Sequence, residues 1–401
     1  MVRLTPPTDC GRGCARINGR YTEIMQERSV APPLIVGAGP VGKGAALFLA
    51  RDGLATRIID EAEEPSRHSK ALAVNPRTLE ILEPTGITEK MLALGMPLRG
   101  LRLWRPGKSL AELSLARLKP KYPMLALSQA TTERLLAEAL EKTGVTVERG
   151  TKLVACRNAP DGVEAELRRS SQEESEMIRC PWLLAADGAH STSRQQMNVD
   201  FPGTTFLRPW YLMDVSLATS LEGDWAHVVF VDGGGFVFAI RVIDETTRSA
   251  SGDPLWRLMS NLPDPIERIG ARQTAAPVWE STFHISHRIN SRLRVNEVYF
   301  AGDAAHIHSP VGARGMNLGL EDAWVFSRLV KMQRMHRYES LRQPVDRRVM
   351  KRVELLSRMA RGESLAARCF RSLLPSAVKI PPIYHRMLAT IMGLDHPLTV
   401  A

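Results

Sequence analysis

A chain of 401 residues, 44% apolar and with a formal net charge of +10, holds enough hydrophobic material for one large core or two coupled ones. No apolar run reaches the roughly 18 residues a membrane-spanning helix needs, and residues 1–31 lack the apolar stretch of a secretory signal. The sequence therefore reads as a soluble protein, at most surface-attached, and its five scattered cysteines suit a reducing cytoplasm better than a disulfide scaffold.

In chain order, residues 1–31 read as a mobile tail rich in Arg, Pro and Gly. Cys10 and Cys14, in C-x3-C spacing with no second pair, read as tail thiols rather than a metal site. The stretch "LIVGAGPVGKGAALFLARDGLATRIID" predicts two short buried strands, Leu34–Val36 and Thr56–Ile59, around a helix from Pro40 to about Arg51. In such a βαβ start Gly37 allows a tight turn, Gly39 lets the backbone approach a pyrophosphate, and Gly42 lets helix and strand pack closely. Pro40 sits where a first helical turn tolerates proline, and the helix's free N–H groups suit phosphate. Asp60 ends the second strand about 20 residues on, where a carboxylate grips ribose hydroxyls. Lys43, within the glycine motif, reads as a stem snorkelling to the surface rather than a phosphate lysine.

Further along, "TTERLLAEALEKTG" predicts a helix, Thr146–Glu148 a strand, and "MIRCPWLLAADG" and "EVYFAGDAA" apolar strands that each end near Gly and Asp. Segments 98–127 and 203–290 alternate in the manner of an antiparallel sheet inserted into a nucleotide-binding unit. From about Ala313 the pattern is helical, with Met316, Leu320, Ala323 and Phe326 on one side. Arginine concentrates toward the C-terminus, where we read a solvated helix face rather than a nucleic-acid platform, and the methionines Met332, Met335, Met350 and Met359 read as helix core.

Two strand-end aspartates, Asp187 and Asp303, are not needed by a nicotinamide dehydrogenase but make sense along the length of a flavin dinucleotide. Together with GAGPVG and Asp60, "KALAVNPRTLEIL", "LSQATTERLL", the Asp187–Gly188 pair and Gly302–Asp303 followed by "SPVGARGMNLGLEDA", they make the chain resemble the aromatic-hydroxylase (para-hydroxybenzoate hydroxylase-like) class of FAD-dependent monooxygenases over about residues 34–345.

The resemblance implies an α/β fold. Its Rossmann-like FAD-binding domain would span 32–97, 128–202 and 291–345, an antiparallel-sheet substrate domain 98–127 and 203–290, and C-terminal helices 346–401. It implies that Gly37, Gly39, Pro40, Gly42, Asp60 and Glu61 hold the AMP half of FAD. Gln129, Gly302 and Asp303 would hold the pyrophosphate and ribityl region, and Asp187 would serve both FAD and the nicotinamide donor. Pro310, Gly312, Gly315, Met316 and Asn317 would wrap the isoalloxazine. Lys70 stands where the family usually has Arg, and Arg77 is a second cationic candidate.

The implied activity is hydroxylation of a phenolic or other electron-rich ring, aromatic or polyketide-like, with NADPH or NADH and O2, through a flavin C4a-hydroperoxide. A helix starting near Gly315 would turn its positive end toward the flavin. No catalytic side chain and no metal site is assigned. Trp210, Phe238 and Pro310 are candidates to line the substrate, with core packing the competing reading for Trp210 and Phe238. His306 and His308 read as structural rather than a proton relay, and His190 as a turn residue. The alternatives are a flavin-dependent halogenase, disfavoured because W-x-W-x-I-P is absent from the sequence, and a non-catalytic, redox-responsive flavoprotein using its basic C-terminal helices. We expect no nucleic-acid partner, a cytoplasmic location, compatibility with a homodimer, and no thioredoxin-like appendage.

Overall fold

The computed structural model describes residues 31–66, 71–172, 174–232, 234–244, 251–362 and 364–400. Residues 1–30, with Cys10 and Cys14, and Lys70 lie outside the described residues. Leu34–Val36 pairs in parallel with Arg57–Ile59 on one side and Leu183–Ala185 on the other. Val298–Phe300 extends the sheet in parallel beyond Leu183–Ala185, and Val147–Glu148 extends it beyond Arg57–Ile59. The strands carry no alternation because both faces are covered, and Leu34, Ile35, Ile58, Leu184 and Phe300 are all fully buried.

The Pro40–Arg51 helix starts with Pro at its first turn after extended Gly39, and closes at Asp52 before Gly53 turns the chain with positive φ. Its run of Gly, Ala, Leu and Phe is buried from Gly42 to Leu49 and packs against the helices Gln129–Glu141 and Gly315–Lys331. Lys43 belongs to that buried face. It is 1% exposed and donates to Glu133 Oε2 at 2.9 Å, so the expected surface stem is corrected to a buried ion pair. An ammonium inside a helix interface is tolerated only with such a partner.

The inserted segments form a second, eight-stranded sheet. Its path runs Arg272–Gln273, Trp210–Ala218, Leu255–Ser260, Phe236–Arg241, Trp225–Phe230, Gly100–Arg105 and Lys108–Ser114, with Trp279–Phe283 also on Trp210–Ala218. It is antiparallel except at one seam, where Trp225–Val229 runs parallel to Gly100–Trp104 and joins the two insertions. Gly100 is required at that seam, since a Cβ there would lie 2.2 Å from Leu113 O.

Three helices follow: Tyr338–Arg361, Leu365–Ala377 and Pro381–Ile391. The last two pack on the sheet with Leu374, Val378, Tyr384 and Leu388, and the Tyr384 hydroxyl donates to Ser114 O at 3.1 Å. The solvated-face reading of this basic region holds only in part. Arg342 is 2% exposed and donates to Asp322 and Asp346, while Met332, expected in the core, is 45% exposed. Among the described residues no helix is long and apolar enough to cross a membrane.

Candidate functional site

Between the glycine-rich turns of the first sheet and the inserted sheet lies one cavity of about 990 Å³, at the upper end of the range for small-molecule sites. One end is polar and glycine-rich: Gly39, Pro40, Gln129, Gly188 and Asp303. The loop Pro310–Met316 lines it as well. The far end is apolar, with Leu103, Leu113, Phe236, Phe238 and Met259 from the sheet and Leu356, Leu374 and Met387 from the C-terminal helices.

The glycines divide by task. Gly37 has φ +97°, and a Cβ there would lie 2.3 Å from Ala186 O; at Gly42 it would lie 1.9 Å from Gly37 O. Both are demanded by packing. Gly39 and Gly188 have open space where a Cβ would project, and both line the cavity, leaving a cradle in which a ligand can touch bare backbone. Gly302, expected beside the cofactor, is occupied by packing, since a Cβ would meet Val41 Cγ2 at 2.8 Å.

Asp60 receives Ala38 N at 2.6 Å on Oδ2 and Ala62 N at 2.9 Å on Oδ1, which fixes the carboxylate beside the glycine turn with lone pairs to spare. Asp187 accepts from Ser193 N at 3.0 Å and Ser193 Oγ at 2.9 Å through Oδ2. Its Oδ1 is buried without a hydrogen bond of good geometry, and burial raises its pKa against the pull of the Ser191 and Ser193 hydroxyls. A dinucleotide with ribose hydroxyls fits this open glycine cradle and this acceptor beside cavity-lining Gly188.

Of the other candidates, Pro310, Gly312, Gly315 and Met316 face the cavity. The Gly315–Lys331 helix begins there after Arg314, which offers no side-chain cap, so its positive end looks into the site. Gln129 also lines the cavity and is aimed by its Nε2 donation to Glu133 Oε1 at 2.9 Å. Phe238 lines the apolar end, whereas Trp210 is fully buried in an edge-to-face contact with Phe236 and belongs to the core.

Three candidates are engaged elsewhere. Asn317 is 1% exposed and its amide is committed, accepting from Asn75 N and Thr78 Oγ1 and donating to Ala73 O and Ala313 O. Arg77 donates to His396 O at 3.1 Å, away from the cavity lining. Glu61 is exposed and pairs with Lys152 at 3.3 Å.

His306 and Asp322 form a fully buried pair behind the loop, 2.7 Å apart. Burial alone would lower the imidazole's pKa, but the Asp322 carboxylate outweighs it and lifts it to about 9. His308 lines the cavity, makes a 2.7 Å contact to Ser309 O through Nδ1, and is pushed down by burial to about 3. His190 sits in an exposed turn.

Sequence reasoning missed the ionic frame beneath the loop. Arg314 is fully buried, 3.5 Å from Asp395 and 3.8 Å from Glu321, and His396 Nε2 contacts Glu321 Oε2 at 2.6 Å. These contacts seat the C-terminal segment under the start of the Gly315 helix. The available signal was the acid pair Glu321–Asp322 inside an otherwise apolar helix face. Arg194 was also missed. It donates to Ala304 O at 3.2 Å and Ala189 O at 2.7 Å, tying together the loops after two neighbouring strands. Asp214 and Arg257, charges inside apolar strands, form a buried two-pronged pair at 2.7 Å, and Arg257 reaches the cavity wall.

A Rossmann-like turn with its acid, joined by a long cavity to an apolar sheet, defines a flavin-dinucleotide protein with room for a second ligand. Residues 31–252 and 262–353 match the FAD binding domain family. The chain is 33% identical over 398 residues to 6-methylpretetramide 4-monooxygenase of Streptomyces rimosus, covering 91% of this chain and 70% of that protein. It is 30% identical over 307 residues to pentachlorophenol 4-monooxygenase of Sphingobium chlorophenolicum, covering 73% of this chain and 57% of that one. In fold it is similar to p-nitrophenol 4-monooxygenase PnpA from Pseudomonas putida DLL-E4, with TM-score 0.78 at 22% identity, covering 91% of this chain and 98% of that one. The chain belongs to this family of FAD-dependent aromatic monooxygenases, and these relatives favour that reading over the halogenase.

Proposed function

We propose that the enzyme uses NADPH or NADH and O2 to hydroxylate a multi-ring phenolic, polyketide-like substrate in the cytoplasm. The observation that carries this reading is that a single cavity is lined by the open Gly39 cradle, by the Pro310–Met316 loop and by the apolar residues of the inserted sheet and C-terminal helices. FAD supplies the redox chemistry when bound, accepting electrons from the nicotinamide and passing oxygen to the ring. The protein's own task is placement and electrostatics.

On this reading Gly39, Pro40 and Asp60 would hold the AMP half, with Gly37 and Gly42 shaping the turn that presents them, and Gln129 and Asp303 the pyrophosphate and ribityl chain. Asp187 would serve both the FAD and the nicotinamide donor. Gly312 and Gly315 would let backbone come close to a bound ring system, with Met316 beside them, and the N-terminal end of the Gly315 helix would favour negative charge there. The apolar chamber excludes water and orients the substrate ring. The inserted sheet is then a substrate-bearing unit, over segments 98–127 and 203–290. The names of the relatives support the substrate class, since one acts on 6-methylpretetramide and another on pentachlorophenol.

The test is stimulated oxidation. FAD-loaded enzyme is mixed with NADPH or NADH and air in the presence of single-ring or multi-ring phenols, and nicotinamide loss and O2 uptake are followed together. Multi-ring phenols should accelerate both. A yellow protein that no phenol accelerates would be the non-catalytic flavoprotein instead.

A further inference from the structure

The C-terminal helices present apolar residues on two opposite faces. In the Leu365–Ala377 helix and just beyond it, Ala367, Arg371, Leu374 and Val378 recur at helical spacing and are buried, and Arg371 and Leu374 line the cavity. On the outer side Leu365, Cys369 and Leu373 recur every four residues and are exposed, Leu365 by 78% and Leu373 by 64%. Ile380 and Ile383 follow, exposed by 49% and 40%. Protruding side chains of this size, grouped along one short stretch, mark an interaction surface.

Charge narrows the partner. The stretch carries exposed Arg368, Lys379 and Arg386, and the chain has no Asp or Glu between Glu363 and Asp395. A second copy of this face would set cation against cation. The side chains protrude and are interleaved with cations, a pattern matched by a bilayer interface, where leucines enter the acyl boundary while Lys and Arg meet anionic headgroups.

We propose that the Leu365–Ile391 helices dock the enzyme on an anionic phospholipid surface. The inner side of these helices walls the apolar chamber, so docking sets that wall beside the acyl region where a flat apolar substrate partitions. That last consequence rests on the multi-ring reading; the docking does not.

The test uses the full, FAD-loaded chain and co-sedimentation with phosphatidylglycerol or phosphatidylcholine vesicles, so it needs no substrate and no turnover. Phosphatidylglycerol vesicles should bind the protein and phosphatidylcholine vesicles at least about tenfold less. Lys379→Gln/Arg386→Gln should weaken phosphatidylglycerol binding roughly thirtyfold, at about a kcal/mol per cation. Leu365→Ser/Leu373→Ser should weaken it as well, even at low salt, where electrostatics alone would hold. Both variants should keep the FAD content and melting temperature of the parent, because the altered side chains are exposed. Absence of binding to phosphatidylglycerol vesicles, or binding unchanged in either variant, would overturn the proposal. So would a solution dimer that the leucine variant dissociates, which would give the face to a second copy.

Discussion

Glu133 divides its two oxygens between two tasks: Oε2 accepts from buried Lys43 at 2.9 Å and Oε1 from cavity-lining Gln129 at 2.9 Å. One carboxylate thus clamps the Pro40–Arg51 helix and aims a polar group into the site. Lys43→Met leaves Glu133 buried without its cation and should cost about 3–5 kcal/mol in urea unfolding. Lys43→Met/Glu133→Gln keeps an acceptor for Gln129 while removing both charges, and should recover at least half of that loss. A double variant no more stable than the single one would refute the pairing.

The glycines of the first turn should separate folding from cofactor binding. Gly37→Ala places a methyl against Ala186 O at a φ of +97°, so the protein should lose most of its stability or fail to accumulate. A Cβ at Gly39 meets only open space in the fold, so Gly39→Val would extend its side chain into the cradle. It should keep the apo melting temperature and lose FAD affinity by tenfold or more, read by flavin fluorescence titration. Equal FAD affinity in Gly39→Val would remove this turn from the cofactor site.

Two histidines on one loop should shape stability on opposite sides of neutrality. His306, lifted to about 9 from an ordinary 6.5, stabilises fully below pH 6.5, and that contribution fades as pH rises through 9. His308, pushed down to about 3, is held neutral in the fold. The unfolded chain binds its proton first, so stability falls as pH drops from 6.5 toward 3. Each group changes stability by up to about 1.4 kcal/mol per pH unit within its window. His306→Gln should flatten the alkaline side of a denaturation-versus-pH curve and His308→Phe the acid side. Parallel curves for both variants and the parent would contradict these assignments.

Trp210 and Phe238 look alike in the sequence as aromatic residues on inserted strands, but only Phe238 touches the cavity. Trp210→Ala should cost about 3–5 kcal/mol of stability through the void it leaves. Phe238→Ala, half-buried at the chamber wall, should cost less in stability and instead raise KM for a multi-ring phenol with little change in FAD content. Interchanged outcomes would reverse their roles.

Much of this protein is written in local pattern. The βαβ start, the Pro40 helix boundary, the Gln129 helix, the strand-end Gly–Asp pairs and the helix from Gly315 follow from nearest-neighbour rules: which residues turn, which start helices, and which apolar spacing buries one side. The family and the cofactor came from the resemblance of the glycine and aspartate motifs to a known flavoprotein class, not from those rules. Tertiary structure alone decided where charged and aromatic side chains ended up. Lys43 reads as a surface residue until Glu133, ninety residues away in the chain, arrives beside it. Trp210 and Phe238 have the same pattern until the sheet is laid on the helices. Asn317 and Arg77 look like ligands to a flavin until Asn75, Thr78 and His396 take up their hydrogen bonds. A buried charge is stable only if its partner exists, and partners far apart in sequence are brought together by packing, which no short window of residues encodes.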